Sequence, residues 1–106
     1  MRQWTPVELE SRLEALEAPP MLLDVREPWE FDICRIAGSV LVPMQQLPSR
    51  IGELDCDRET VVICHHGIRS YMVARYLTHQ GFARVFNLQG GIAAWARDVD
   101  PSMRVY

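Results

Sequence analysis

Residues 60–63 form the stretch that most restricts how this chain can fold. They read Thr-Val-Val-Ile, so every side chain is β-branched and three in a row are apolar. Runs of this kind are typical of strands covered on both faces, as in the middle of a parallel sheet. A polar segment, residues 64–69, follows without a break, and a helical pattern covers 70–80. The stretch therefore predicts a central parallel strand that leads through a polar loop into a helix.

Strand and helix patterns alternate along the rest of the chain. Besides 60–63, strands are predicted at residues 21–25, 39–42 and 84–88. A first helix, capped by Thr5 with Pro6 at its start, is predicted to bury Val7, Leu9, Leu13 and Leu16. Further helices are predicted at 27–33, at 70–80 and around Ile92 and Trp95, with a weaker pattern at 44–51. The helix at 70–80 is predicted to have Met72, Val73, Tyr76 and Leu77 on its apolar face. Asp98 to Tyr106 is predicted to be a tail. This alternation predicts an α/β fold, a parallel sheet with helices on both faces.

Composition excludes several classes of function. A chain of 106 residues is expected to form a single domain over 1–106. The net charge of -3 argues against nucleic acid as the main partner, and the absence of an apolar run of about 18 residues argues against a membrane span. Three cysteines without a Cys-x-x-Cys pair argue against a disulfide scaffold, so a cytoplasmic protein is expected.

The segment from Cys64 to Ser70 has the features of a nucleophilic site. Cys64 follows the predicted central strand, where parallel sheets bind their ligands, and it precedes a helix. Successive amide N–H groups in such a turn can form a concave nest for an anion, and the helix N-terminus favours thiolate over thiol. Gly67 permits the backbone conformation that the turn needs. The segment therefore predicts a nucleophile and an anion-binding site in one loop.

Other readings of the same residues remain open. Cys64 could be a small buried residue with no reactivity. The adjacent His65 and His66 could bind a metal, but neighbours in sequence rarely ligate one ion, so no metal site is expected. Gly90-Gly91 lacks the pattern of a nucleotide-binding loop and is predicted to be a tight turn. No cofactor is expected.

Three motifs, in order, resemble those of the rhodanese family, and together they cover nearly the whole chain. They are residues 23–27 with 30–31 and 36–39 as the opening motif, 64–70 as the active-site loop, and 88–92 with Trp95 as the closing motif. One departure is Cys34-Arg35-Ile36, where the family usually has Gly-His-Ile. The resemblance implies a rhodanese-like fold with a central five-stranded parallel sheet.

The resemblance also implies sulfurtransferase activity through a persulfide on Cys64. The donor is expected to be a small anion such as thiosulfate, and the acceptor a thiol, a protein or cyanide. The expected substrate-binding residues are His65, His66, Gly67, Ile68, Arg69 and Ser70. Arg69, as a loop residue, is expected to lie partly in solvent and to orient the donor together with the two histidines. Arg26 and Glu30 are expected to form an ion pair, with Asp24 in a structural role.

Two alternatives accompany this interpretation. The end of the chain, residues 99–106, resembles that of rhodanese domains fused to ubiquitin-activating-like enzymes, so the chain could instead be an interaction module that delivers persulfide sulfur to a partner protein in cofactor or tRNA thiolation. A phosphatase or arsenate reductase is less favoured. Phosphatases related to this family have five residues between cysteine and arginine, whereas here there are four, His65 to Ile68.

Overall fold

The computed structural model describes residues 1–15 and 17–106, and in this part of the chain five strands form one parallel sheet. The strands are β1 (Arg2–Trp4), β2 (Met21–Asp24), β3 (Val40–Leu41), β4 (Thr60–Ile63) and β5 (Val85–Leu88), in the spatial order β1-β5-β4-β2-β3. The helices are α1 (Pro6–Glu14), α2 (Pro28–Ile33), α3 (Leu47–Arg50), α4 (Ile68–His79) and α5 (Gly91–Asp98), with single 3-10 turns at Met44–Gln46 and Ile51–Glu53. The predicted α/β fold with a central five-stranded parallel sheet is confirmed, and β4 is the central strand.

Two apolar clusters cover the two faces of the sheet. On β4, Val62 belongs to the cluster beneath α3 and α4, while Val61 and Ile63 belong to the cluster beneath α1 and α5. All three side chains are fully buried, which accounts for the continuous apolar run in the sequence. Burying side chains of this size stabilises a fold by roughly 1.5–3 kcal/mol each.

The start of α1 forms as predicted, but its apolar stripe is narrower. The Thr5 hydroxyl accepts a hydrogen bond from the Glu8 amide at 3.2 Å. Leu9 is fully buried and Leu13 is half-buried, whereas Val7 is exposed. Leu16, predicted to belong to the same stripe, lies outside the described residues. On α4, Met72 was predicted to lie on the apolar face, and this is wrong. Its side chain is 56% exposed because it lies beside the buried face of the helix.

Both ends of the chain contain structure that the sequence patterns did not reveal. β1 is a short edge strand that pairs with β5, and Trp4 on it stacks on Phe86 with ring centroids 3.9 Å apart. After α5, the predicted tail folds back, so that Val99, Met103 and Tyr106 pack against the cluster beneath α1 and α5. The tail therefore returns to the body of the protein.

The carboxyl ends of β2, β4 and β5 lie at one edge of the sheet because the three strands run parallel. The loops that leave them and the start of α4 meet there. No helix among residues 1–15 and 17–106 has the length and apolar character needed to cross a membrane.

Candidate active site

Cys64 lies directly after β4, beneath the start of α4, with only 1% of its surface exposed. Its Sγ accepts hydrogen bonds from the amide N–H groups of Gly67 at 3.1 Å and Ser70 at 3.3 Å. Amides in the first turn of a helix have no partner within the helix and lie at the positive end of its dipole. The structure thus puts the sulfur where a thiolate is stabilised by backbone groups.

The other amides of the loop remain available. The backbone N–H groups of His65, His66, Ile68 and Arg69 donate to no other group in the part of the chain that the structure describes. Gly67, which precedes α4, adopts a φ of +94°, a left-handed conformation that turns the loop back over the sulfur. The loop therefore has the free donors that the anion-nest hypothesis requires.

The start of α5 binds two carbonyl groups of the loop. The amide of Ile92 donates to the carbonyl oxygen of Cys64 at 2.9 Å, and that of Ala93 donates to the carbonyl of His65 at 3.0 Å. This approach depends on Gly91, where an added Cβ would lie 2.4 Å from the Cys64 oxygen. Gly90 and Gly91 have φ angles of +76° and +60°, so this pair forms the tight strand-to-helix turn that was predicted.

Asn87 and Ser70 form a buried hydrogen-bond network beside the thiol. The Asn87 Nδ2 donates to the Gly67 carbonyl at 3.2 Å and to Gln3 Oε1 at 3.0 Å, which turns its Oδ1 toward Ser70. The Ser70 hydroxyl donates its only proton to that oxygen at 2.5 Å. The neutral thiol of Cys64 consequently donates to Ser70 Oγ, at 3.3 Å. Ser70 thus contacts the sulfur through both its amide and its hydroxyl.

Arg69 lies in the first turn of α4 rather than in the loop, and it is paired with Glu30. Two hydrogen bonds join them, Nη1 to Oε1 at 2.7 Å and Nη2 to Oε2 at 2.8 Å. These bonds from Arg69, with smaller contributions from the Glu27 amide and the Tyr106 hydroxyl, outweigh burial and lower the pKa of Glu30 to about 2. The Arg69 side chain is 36% exposed, as expected, but its charge is matched by a carboxylate on α2.

The predicted ion pair between Arg26 and Glu30 is wrong. The Arg26 guanidinium pairs with Asp24 instead, through Nε to Oδ1 at 2.9 Å and Nη2 to Oδ2 at 2.7 Å, and both side chains are fully buried. The only hydrogen bond from Arg26 to Glu30 runs from Nη1 to the backbone oxygen and does not involve the carboxylate. The reason is that Arg26 precedes α2, so the helical i to i+4 spacing does not bring the two side chains together. Asp24 has the structural role that was expected.

The two histidines of the loop stack on each other, with ring centroids 3.9 Å apart. Burial, followed by the charge of His66, lowers the pKa of His65. The His65 ring is therefore neutral at neutral pH, so it adds no positive charge to the loop. His66 is exposed, and Ile68, another predicted binding residue, is 73% exposed. The predicted loop residues are thus brought together, with Cys64, Gly67 and Ser70 buried and His65, His66, Ile68 and Arg69 partly or fully exposed around them.

Three contributors were missed in the sequence, namely Glu30 as the partner of Arg69, Asn87 and Tyr106. Asn87 left a signal, since it is a polar residue inside the apolar strand Val-Phe-Asn-Leu. Tyr106 left none, because nothing local indicates that the tail returns to the site. No group of three or more His, Cys, Asp or Glu side chains that could hold a metal ion occurs among the described residues.

Comparisons with known proteins identify one family and one fold for this chain. The family model described as Rhodanese-like domain matches residues 5–98. A protein named sulfurtransferase from Allochromatium vinosum is 44% identical over 77 residues, which cover 73% of this chain and 72% of that protein. Thiosulfate sulfurtransferase GlpE of Shewanella oneidensis is 40% identical over 74 residues, 70% of this chain and 73% of its own. The crystal structure of a rhodanese-like domain protein from Staphylococcus aureus has a TM-score of 0.84 at 29% identity, covering 100% of this chain and 99% of that one. These matches support sulfur transfer in general terms.

Proposed function

This chain belongs to the family of rhodanese-like domains, and on that premise we propose that it transfers a sulfane sulfur from a small anionic donor such as thiosulfate to an acceptor through a persulfide on Cys64. The observation that carries the proposal is the position of the Cys64 sulfur at the start of α4, within hydrogen-bond distance of the Gly67 and Ser70 amides. A thiolate is the reactive form of cysteine, and these donors stabilise it.

In the first half-reaction, the Cys64 thiolate attacks the outer sulfur of thiosulfate. A bond forms between Sγ and that sulfur, while the sulfur–sulfur bond of thiosulfate breaks and sulfite leaves with the electron pair. The product is a persulfide anion on Cys64. We expect the amides of His65, His66, Ile68 and Arg69, which make no other hydrogen bond within the described residues, to face this negative charge and so to lower the barrier electrostatically.

In the second half-reaction, a nucleophilic acceptor attacks the outer sulfur of the persulfide. Cyanide would leave as thiocyanate and a thiolate would become a persulfide, and in both cases the Cys64 thiolate is regenerated with its electron pair. Arg69 keeps three N–H groups that make no hydrogen bond within the described residues, and its partly exposed position lets it contact an anionic donor. Because donor and acceptor use the same sulfur in turn, we expect ping-pong kinetics.

Intact mass spectrometry after treatment with thiosulfate tests the proposal. We expect the wild-type protein to gain one sulfur atom and to lose it when cyanide is added. The other two cysteines provide matched controls, since all three are free thiols. Cys34→Ser and Cys56→Ser should still gain sulfur, whereas Cys64→Ser should not. Sulfur on the Cys64→Ser protein, or none on the wild type, would contradict the assignment.

A second candidate is delivery of the same persulfide to a protein. It is favoured by the exposed apolar side chains at the start of α4, Ile68, Tyr71 and Met72, which lie beside the loop and would be covered by a protein acceptor. Transfer to a purified small thiol-bearing carrier protein should then be faster than transfer to cyanide.

We place the reaction in a reducing compartment such as the cytoplasm, because the three cysteines are unpaired.

A further inference from the structure

The last side chain of the tail, Tyr106, lies against the loop that carries Cys64. The chain leaves α5 through a turn in which the Val99 and Asp100 amides donate to the Trp95 carbonyl at 2.9 and 3.0 Å. Met103 then packs on the cluster beneath α1 and α5. Tyr106 is therefore held in place by several contacts along the tail.

The hydroxyl of Tyr106 joins two ion pairs. Arg26 Nη1 has only protons to offer, so it donates to the Tyr106 oxygen at 3.0 Å. The hydroxyl proton is then free to be donated to Glu30 Oε2, 2.8 Å away. Burial raises the pKa of Tyr106 to about 12, so the phenol keeps this proton at neutral pH. The buried pair of Asp24 and Arg26 is in this way connected to the pair of Glu30 and Arg69.

The ring of Tyr106 covers a residue of the loop. It stacks on His65 with ring centroids 3.8 Å apart and an angle of 14° between the planes. His65 stacks in turn on His66, and Trp29 meets the Tyr106 ring edge-on at 5.7 Å. Removing the ring would expose His65 and leave its orientation to the loop alone.

We propose that Tyr106 is a positioning residue for the binding of the anionic donor. Its hydroxyl holds Glu30 and through it Arg69, and its ring holds His65 by stacking. The inference rests on the proposed sulfur-transfer function. Tyr106 itself makes no hydrogen bond to Cys64 or to the amides around the sulfur, and it acts through Glu30 and His65. The hydroxyl and the ring have separate tasks, the first on Glu30 and the second on His65.

Two variants separate the tasks, and a third is the control. Tyr106→Phe removes only the hydroxyl, Tyr106→Ala removes both groups, and Val105→Ala changes the neighbouring side chain, which is 75% exposed. We expect Tyr106→Phe to raise the KM for thiosulfate about three- to tenfold, since one hydrogen bond to a charged, partly exposed pair is lost. The kcat should stay within about twofold, because the sulfur and its amides are untouched. Tyr106→Ala should have a larger effect on KM, and Val105→Ala none.

NMR titration of His65 supplies a readout that does not depend on activity. The groups that face His65 are His66 on the same loop, Arg26 after β2, Glu30 on α2, Arg69 on α4 and Tyr106 from the tail. Of these, only Tyr106 changes in the variants. Loss of the ring should raise the pKa of His65 toward its ordinary value, because burial is the main cause of its lowering. Tyr106→Phe should leave it near that of the wild type.

The outcomes separate this inference from the proposed function. A wild-type protein that gains no sulfur on Cys64 overturns the proposed function, and the His65 titration still decides whether Tyr106 positions the loop. Unchanged titration in Tyr106→Ala overturns the inference whatever the activity. So does an unchanged KM for thiosulfate in Tyr106→Phe when the wild type is active. Thermal melts accompany each variant, and Tyr106→Phe keeps the test valid if Tyr106→Ala does not fold.

Discussion

Glu30 and Arg69 are separated by 39 positions in the chain, yet their side chains form two parallel hydrogen bonds of 2.7 and 2.8 Å at the opening of the site. Glu30 is almost completely buried, while Arg69 is partly exposed. The carboxylate also accepts from the Glu27 amide at 2.9 Å and from the Tyr106 hydroxyl. The arginine in the first turn of α4 is thus held by α2, the helix that follows β2, and its contacts depend on that partner.

Glu30→Gln should make the protein less sensitive to acid. The pKa of Glu30 is lowered from 4.5 in the unfolded chain to about 2 in the fold. Its ionised form therefore stabilises the fold fully above about pH 4.5, and this contribution is lost as the pH falls toward 2. We expect it to be on the order of 2 kcal/mol, after allowance for the solvent exposure of Arg69.

Urea unfolding of wild type and Glu30→Gln between about pH 6 and pH 2 measures this difference. The free energy of unfolding of the wild type should fall more steeply across the window, so that the two curves converge in acid. Glu14→Gln, at an exposed position on α1, is the control. Parallel curves for wild type and Glu30→Gln would contradict the role given to this ion pair.

Arg69→Ala should weaken both the use of the donor and the fold. The loss of a charge-assisted contact to thiosulfate is expected to lower kcat/KM about 10- to 100-fold. The fold is weakened as well, because the variant leaves the buried carboxylate of Glu30 without its cation. A loss of about 1–3 kcal/mol of stability should result.

The double variant Glu30→Gln with Arg69→Ala separates the two effects. Replacing the carboxylate by a neutral amide should recover much of the lost stability, as measured by thermal melts. It should not recover kcat/KM on thiosulfate, since the cation is still missing. Recovery of activity together with stability would show that Arg69 acts only on the fold.

Gly67→Ala and Gly81→Ala form a matched pair for testing the turn above the sulfur. Both glycines are left-handed, with φ angles of +94° and +93°. An added Cβ at Gly67 would lie 3.1 Å from the Gly90 amide nitrogen, whereas Gly81 has nothing within 4 Å. Both substitutions should cost about 1–2 kcal/mol for the backbone conformation. Only Gly67→Ala should in addition displace an amide from Cys64 and slow sulfur loading, which mass spectrometry follows over time. Equal loading rates would contradict this.

Inserting one residue between His66 and Gly67 should disrupt sulfur transfer in a protein that still folds. The loop is held on both sides of the insertion, by the Ala93 amide on the His65 carbonyl and by Asn87 on the Gly67 carbonyl. The extra residue must therefore bulge outward or move the Gly67 amide away from its 3.1 Å contact with Cys64. We expect at least a tenfold loss of thiosulfate:cyanide transfer, with a modest cost in stability.

The control for the insertion is one extra residue between Cys56 and Asp57, in an exposed turn that precedes β4, whereas the loop follows the opposite end of that strand. A chromogenic phosphate ester serves as a second substrate, because a five-residue spacing resembles that of related phosphatases. Undiminished sulfur transfer in the folded loop-insertion protein would show that loop length does not adjust this site to sulfur.

Local patterns account for the sheet and for the place of the nucleophile. The run at 60–63 predicted a central strand because both of its faces are buried, and the cysteine that follows such a strand necessarily reaches the carboxyl edge of the sheet. β1 escaped prediction because Arg-Gln-Trp has no apolar periodicity, and its strand conformation depends on pairing with β5. Short polar edge strands are defined by their neighbours rather than by their own residues.

By itself, the sequence determined the alternation of strands and helices, the glycine turns and the position of Cys64 at the start of a helix, because each depends on residues close together in the chain. Only the tertiary structure decided which charges pair. Arg26 pairs with Asp24, Glu30 pairs with Arg69, and the Tyr106 hydroxyl makes a hydrogen bond to one member of each pair. The physical reason is that ion pairs and buried hydrogen bonds form wherever burial leaves a polar group in need of a partner, and that partner can lie anywhere in the chain.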